Sequence, residues 1–112
     1  MNNKLTLNKI IKRNQEIINQ MLPILKKKYQ IKAIEGDTVF IHLNEKDDIE
    51  LTVSNDDLFL VLVWSNKQQI KDDQYVKKEL LIPFLDELIK LYNMGYYNRS
   101  LMDIKTFNAW YK

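Results

Sequence analysis

The sequence contains no cysteine and only two glycines. The absence of cysteine excludes a disulfide framework, thiolate catalysis and zinc bound by cysteine. The scarcity of glycine leaves no phosphate-cradling loop and no dinucleotide-binding fingerprint. A chain of 112 residues is still long enough to bury a core without such supports. We therefore expect a single domain over residues 1–112 that requires neither a metal nor another cofactor.

A catalytic signature and a membrane signal are also missing. His42 is the only histidine, and a general base needs an orienting acid and a reacting partner. Glu50 and Thr52 on the neighbouring strand are candidates for these roles, but no spacing requires them. The first residues alternate between apolar and polar types, so they form neither a signal peptide nor a membrane span. We therefore expect a non-enzymatic, cytoplasmic protein that does not associate with membranes.

The longest apolar run covers residues 58–64 without interruption. It is too short for a buried helix, and its β-branched and aromatic residues favour a strand. Its even and odd positions are equally apolar, which predicts a strand that is covered on both faces. The rest of the chain is expected to supply those covers.

Helical periodicity appears on both sides of the strand region. Apolar residues recur at spacings of three and four, which is typical of amphipathic helices. Two aspartates, Asp72 and Asp73, are placed as a cap for the second helix, and we expect kinks at Pro23 and Pro83. The predicted helices cover residues 7–29, 73–94 and 101–111.

The region between the long helices alternates with the period of β-strands. Gly36 and Asp37 separate two such stretches, which predicts a two-residue hairpin of type II′. The predicted strands cover residues 30–35, 38–43, 49–53 and 58–64. Together these elements predict an α+β fold with the order α-β-β-β-β-α-α, in which a four-stranded antiparallel meander packs against two long kinked helices.

Strand register decides which residues face the core. We expect Glu35 opposite Thr38, Leu43 opposite Ile49, and Val53 opposite Leu58. Both long helices would pack against the core face. That face would receive Ile34, Val39, Ile41, Leu43, Ile49, Leu51, Val53, Leu58, Leu60, Leu62 and Trp64. The other face is more apolar than a face in water should be. It would receive Ile31, Ala33, Phe40, His42, Glu50, Thr52, Phe59, Val61 and Val63. This pattern predicts a surface that is only partly covered, or an interface.

The second face and the aromatic C-terminal region favour binding to a protein partner. Tyrosine, tryptophan and arginine are enriched at binding hot spots. The candidate contacts are Phe40, Phe59, Val61, Tyr96, Tyr97, Arg99 and Trp110. Docking of the terminal helix on its own domain, and formation of a homodimer through the same patch, remain alternatives. The hypothesis is an inhibitor, immunity or accessory protein of a bacterium or mobile element.

Charge is segregated along the chain although the formal net charge is only +2. The first helix is basic, and the sheet loops are acidic. The loop residues Asp47, Asp48, Asp56 and Asp57 are expected to steer a basic partner rather than to bind a metal, because successive loops lie at opposite ends of a sheet. The alternative function is a nucleic-acid-associated regulator. Its candidate contacts are Lys9, Lys12, Arg13, Lys26, Lys27 and Lys28.

Overall fold

The computed structural model describes residues 3–55 and 58–95, with side chains placed from residue 6 onwards. It confirms an α+β fold that begins with a helix and contains an antiparallel sheet. The elements in chain order are α1 (Asn3–Lys28), β1 (Ile31–Glu35), β2 (Thr38–His42), β3 (Asp47–Val53), β4 (Leu58–Ser65), β5 (Gln68–Gln69), β6 (Gln74–Lys77), a 3₁₀ helix (Lys78–Leu80) and α2 (Leu81–Asn93). The helix predicted over residues 101–111 lies outside the described residues.

The amphipathic stripe of α1 packs on the sheet through its C-terminal two thirds. Its buried side chains are Asn14, Ile18, Met21 and Leu25. Asn14 Nδ2 donates to Asp37 Oδ2 at 3.1 Å and to the carbonyl oxygen of Val53 at 3.5 Å, which fixes the helix beside the first hairpin turn. The helix starts earlier than predicted and continues through Pro23. The kink at that proline stays a prediction.

The first hairpin forms as the sequence predicts. Glu35 pairs with Thr38, and Gly36 has a φ of 62°. A type II′ turn requires positive φ at its first central residue, which glycine adopts without a steric cost. Local turn chemistry therefore determines the position of β1 relative to β2.

Over the described residues, the sheet contains six strands rather than four. Beyond β4, the chain forms an interrupted edge strand: β5 pairs with the end of β4, and β6 pairs with its beginning. The prediction of a helix over residues 73–94 is therefore wrong at its start, because residues 74–77 alternate between buried and exposed positions and complete the edge of the sheet. Asp72 and Asp73 precede a strand and do not cap α2.

Pro83 is the third residue of α2. The first four amide groups of a helix have no acceptor within the helix, so a proline at this position removes no hydrogen bond. The expectation that Pro83 interrupts a longer helix is wrong because α2 begins only at Leu81. The buried face of α2 consists of Leu81, Phe84, Leu85 and Leu88.

The register of β4 differs by one residue from the predicted register. Val53 pairs with Phe59, because the turn is closed by hydrogen bonds between Asn55 and Leu58, including Leu58 N to Asn55 Oδ1 at 3.1 Å. A shift of one residue turns every side chain of a strand to the other face. Leu60 therefore points away from both helices, and the prediction that they pack on the Leu60 and Leu62 face is wrong.

The core lies between the helices and the opposite face of the sheet. Its strand residues are Val39, Ile41, Ile49, Leu51, Val53, Phe59, Val61, Val63 and Val76. The faces predicted for β2 and β3 are correct. Their register, with Ile41 opposite Ile49, differs from the predicted register by two residues, and an even shift preserves the faces.

Candidate binding surface on the outer face of the sheet

The outer face is the face of the sheet opposite α1 and α2. Residues paired across its strands form three rows. These are Ala33, Phe40, Glu50 and Leu62; Thr38, Thr52, Leu60 and Tyr75; and His42, Asp48, Trp64 and Gln69. The rows place large apolar side chains of β4 beside aromatic residues of β2 and β6.

Neither described helix covers this apolar surface. Phe40, Leu58, Leu60 and Trp64 are half-buried, while every strand residue of the core cluster lies on the other face. Leu62, at the centre of the outer face, is buried with 9 % of its surface exposed, and Tyr75, at the edge, is 37 % exposed. Half-buried apolar side chains on a sheet face without a described helix over them are candidates for contact with a further surface.

One end of the outer face contains an open depression of about 440 Å³, here called the Trp64 pocket. Phe40 and Trp64 contribute its aromatic surfaces, and Asp48 and Glu50 contribute carboxylates. Three lysines also line it: Lys32, Lys46 and Lys67. The pocket therefore combines aromatic rings with charges of both signs.

Three carboxylate residues line the Trp64 pocket, namely Glu45, Asp48 and Glu50. The last two have different partners. Asp48 forms an ion pair with Lys32, with an oxygen to nitrogen distance of 2.9 Å. Glu50 accepts a hydrogen bond from the indole Nε1 of Trp64 at 3.0 Å. Within residues 6–55 and 58–95, no lysine or arginine forms an ion pair with Glu50. Glu50 is thus a half-buried anion whose described partner is a neutral donor.

The loop bordering this pocket is fixed to the end of α2. Tyr92 Oη donates a hydrogen bond to Asp47 and accepts one from Asn44. Burial alone would raise the pKa of Asp47, but hydrogen bonds from Tyr92, Ser65 and Asn44 outweigh burial and lower it. Burial is the largest cause that raises the pKa of Tyr92, and the hydrogen bond to Asp47 and the negative charge of Asp47 raise it further. The loop is therefore held by the folded core rather than free in solvent.

The structure separates the predicted contact residues. Phe40 lies on the outer face beside Glu50. Phe59 and Val61 are 0 % and 1 % exposed, so their prediction as partner contacts is wrong, for the same one-residue register shift. The remaining predicted contacts lie outside the described residues; these are Tyr96, Tyr97, Arg99 and Trp110.

The acidic residues predicted to steer a partner have internal roles where they are described. Asp47 holds Tyr92, and Asp48 holds Lys32. Asp56 and Asp57 lie outside the described residues. Long-range steering depends on net charge, so these internal bonds leave the steering prediction untested while they give Asp47 and Asp48 a structural function.

His42 lies on the outer face opposite Asp48, at the margin of the Trp64 pocket. Its backbone amide donates to the carbonyl of Gln30 at 2.8 Å. In the part of the chain that the structure describes, no three His, Cys, Asp or Glu side chains are grouped so as to hold a metal ion. His42 is therefore a half-buried polar residue of the outer face.

The basic residues of α1 form two exposed groups. Lys9, Lys12 and Arg13 are exposed in its first half, and Lys26, Lys27 and Lys28 are exposed at its end. Lys28 pairs with Asp86 at 2.9 Å, while Tyr29 Oη donates to the other oxygen of that carboxylate at 2.6 Å. One member of the second group is therefore used within the protein.

Sequence reasoning missed the residues that define the outer face. Leu60, Leu62 and Trp64 were assigned to the core, Tyr75 to a helix, and Lys32 to no function. Tyr75 and Val76 are residue types that favour strands. Separately, Asn66 and Lys67 both have positive φ in the turn that joins β4 to β5. The β-propensity of residues 75 and 76 was the available signal for the extra edge strand.

Comparison of the chain with family models, curated proteins and solved structures finds no match. Among the residues described, no helix combines the length and apolar character needed to cross a lipid bilayer.

Proposed function

We propose that the chain is a small, non-catalytic cytoplasmic module that binds one protein partner through the outer face of its sheet. The observation that supports this proposal is the row of apolar side chains on β4 that points away from both helices. It comprises Leu58, Leu60, Leu62 and Trp64. An inhibitor, immunity or accessory protein of a bacterium or mobile element is the class that we favour.

The outer face has the composition of a binding surface. Apolar residues at its centre supply area that a partner removes from water, worth roughly 25 cal/mol per Å². Phe40, Trp64 and Tyr75 add aromatic groups of the kind found at interface centres. Polar and charged side chains surround them, including Thr52, Asp48 and Lys32. A hydrophobic centre with a polar rim is the usual arrangement of a protein–protein interface.

The proposal is tested by affinity capture from a lysate of the native host. The bait is the full chain, compared with Leu60→Asp and with the control Ile24→Asp. Ile24 is 46 % exposed on α1, away from the outer face, so the control introduces the same charge at an exposed aliphatic residue. Circular dichroism and denaturant melts establish that each variant is folded before capture.

We expect the wild type and Ile24→Asp to retain the same protein and Leu60→Asp to lose it, because a carboxylate at the centre of the interface would be desolvated without a partner. Retention by folded Leu60→Asp at the wild-type level contradicts the proposal. Analytical ultracentrifugation of the isolated chain separates this outcome from a homodimer, since a second copy would appear without any lysate.

The exposed basic groups of α1 favour nucleic-acid binding as a second candidate function. The two groups are separated by about three and a half turns of helix, or roughly 20 Å at 1.5 Å per residue. Retention on heparin and a DNA mobility shift that weakens steeply with salt would support this function. The double variant Lys9→Glu/Lys12→Glu should then lose binding. Unchanged binding in that variant would exclude the first basic group of α1 as the contact.

A further inference from the structure

Glu50 in the Trp64 pocket has an arrangement that its own fold does not explain. The carboxylate is half-buried and lies between Phe40 and Leu62 in strand register. Its described hydrogen bond comes from the neutral indole of Trp64, at 3.0 Å. Partly desolvated carboxylates are normally paired with a cation, because an isolated buried charge costs free energy.

We infer that the Trp64 pocket receives an arginine side chain of the protein partner, which pairs with Glu50 and stacks on Trp64 and Phe40. This inference rests on the proposed function and specifies the chemistry of the partner. The guanidinium group is planar, carries donors that match a carboxylate, and stacks on aromatic faces. A depression of about 440 Å³ is large enough for one such side chain, since binding pockets start at roughly 300 Å³.

The other charges of the pocket refine the partner's chemistry. Lys32 is occupied by Asp48 at 2.9 Å, so Asp48 is already neutralised. Lys46, Lys67 and Glu45 are exposed in loops at the rim. With two cations and one carboxylate, the rim has a net positive charge and would repel a second cation beside the arginine. An acidic residue next to that arginine would meet the two lysines favourably. The expected recognition element is therefore an arginine flanked by a glutamate or aspartate.

The test uses a short peptide, acetyl-Glu-Arg-Gly-amide, and the full chain carrying Trp110→Phe. That substitution leaves Trp64 as the remaining tryptophan, so its indole N–H signal in a ¹H–¹⁵N spectrum reports on the pocket directly. Two matched peptides replace arginine by citrulline, which has the same shape without the charge, or by lysine. Only the arginine peptide should shift the Trp64 indole signal to saturation.

Glu50→Gln should weaken binding of the arginine peptide roughly 10- to 100-fold, as expected when a charge-assisted hydrogen-bonded pair is lost. Three results would each overturn the inference. The citrulline peptide could shift the signal as much as the arginine peptide does, the lysine peptide could bind as tightly as the arginine peptide, or no peptide could give a saturable shift. The peptide comparison is made on an unchanged pocket, so it decides the matter even if Glu50→Gln fails to fold.

Other occupants of the pocket give different results. If Arg99→Gln tightens peptide binding, the arginine belongs to this chain rather than to a partner, and the inference is wrong. A shift of the indole signal with protein concentration alone would assign the pocket to a second copy. Failure of the proposed function appears separately, as capture that survives Leu60→Asp. If Leu60→Asp loses capture but the pocket does not select the arginine peptide, the proposed function stands and only the present inference is overturned.

Discussion

At the scale of single residues, Lys71 is a cation that the fold takes out of water. It is 3 % exposed, like its neighbour Gln74, and its Nζ donates to Gln74 Oε1 at 3.0 Å. Burial lowers the pKa of Lys71 to about 8, although the charge of Asp72 opposes this change. At neutral pH the folded chain therefore carries a charged group in an environment that favours its neutral form.

We predict that wild-type stability rises with pH between about pH 8 and pH 10 and that Lys71→Met removes this rise, because methionine has a similar length and no group that titrates. Below pH 8 the lysine is protonated in both states. Between about pH 8 and its ordinary pKa of about 10.4 the unfolded state binds more protons, so wild-type stability rises with pH. Urea melts of the two proteins between pH 7 and pH 10 measure the difference. The same pH dependence in wild type and variant would contradict this prediction.

Asp47 and Tyr92 form the second residue-scale feature. The hydrogen bond between them joins the start of β3 to the end of α2. It lowers the pKa of Asp47, and it adds to burial in raising the pKa of Tyr92. A lowered carboxyl pKa contributes stability above the unfolded pKa of about 3.9, and this is lost as pH falls. A raised tyrosine pKa contributes stability that is lost as pH rises above about 10.

We therefore predict that Tyr92→Phe costs about 1 kcal/mol of folding free energy between pH 5 and pH 9, the usual size for one hydrogen bond of this kind. The loss of folding free energy relative to wild type should shrink below about pH 4 and above about pH 10, because either extreme reduces the stability that the hydrogen bond contributes. Denaturant melts across this range measure it. A cost that is independent of pH would mean that Tyr92 acts through packing alone.

At the scale of elements, β4 determines how the two layers are arranged. Phe59 is 0 % exposed and lies in the core cluster, whereas Leu60 is half-buried on the outer face. Adjacent residues of this strand thus belong to different environments. The described helices pack on one side of the strand, and the other side faces away from them.

Phe59→Ala should cost roughly 3–5 kcal/mol of folding free energy, the usual range for a buried phenylalanine. Leu60→Ala should cost much less, about 1 kcal/mol, because less of its side chain is removed from water on folding. Urea melts of the two variants measure the difference. If Leu60→Ala proves the costlier substitution, the faces of β4 are reversed and the proposed binding surface lies in the core.

The sequence predicted the elements whose signals are local. α1 follows from its helical periodicity, and the first hairpin follows from Gly36. The register of β4 could not be predicted, because both sets of its alternating residues are apolar and period two therefore gives no preferred face. The turn before β4 decides the register through Asn55, whose contact with Leu58 depends on the folded geometry.

Tertiary context also explains the error in the second helix. Asp72 and Asp73 have the composition of a helix cap, yet the edge of β4 needs hydrogen-bonding partners that β6 supplies.

The candidate site was predicted only in part, because its contacts also depend on tertiary context. Phe40 was placed correctly because β2 alternates clearly, and Trp64 was misplaced with the rest of β4. Glu50 was on the predicted face, but its contact with Trp64 requires the true register.

At the scale of the whole molecule, the protein is a sheet with two unequal faces. One face packs on α1 and α2, and the outer face carries an apolar centre and the Trp64 pocket. The basic surface of α1 lies on the side of the helices, away from this face. The two candidate functions therefore use different surfaces, and variants such as Leu60→Asp and Lys9→Glu/Lys12→Glu separate them without affecting a shared contact.

Acrylamide quenching of Trp64 fluorescence tests most directly whether the outer face is open. In the full chain with Trp110→Phe, Trp64 is the only tryptophan left. We predict that acrylamide quenches its emission in the folded protein in proportion to quencher concentration, and that a captured partner suppresses this quenching. Emission that resists acrylamide until the chain is unfolded by denaturant would show a covered outer face and contradict the proposed binding surface.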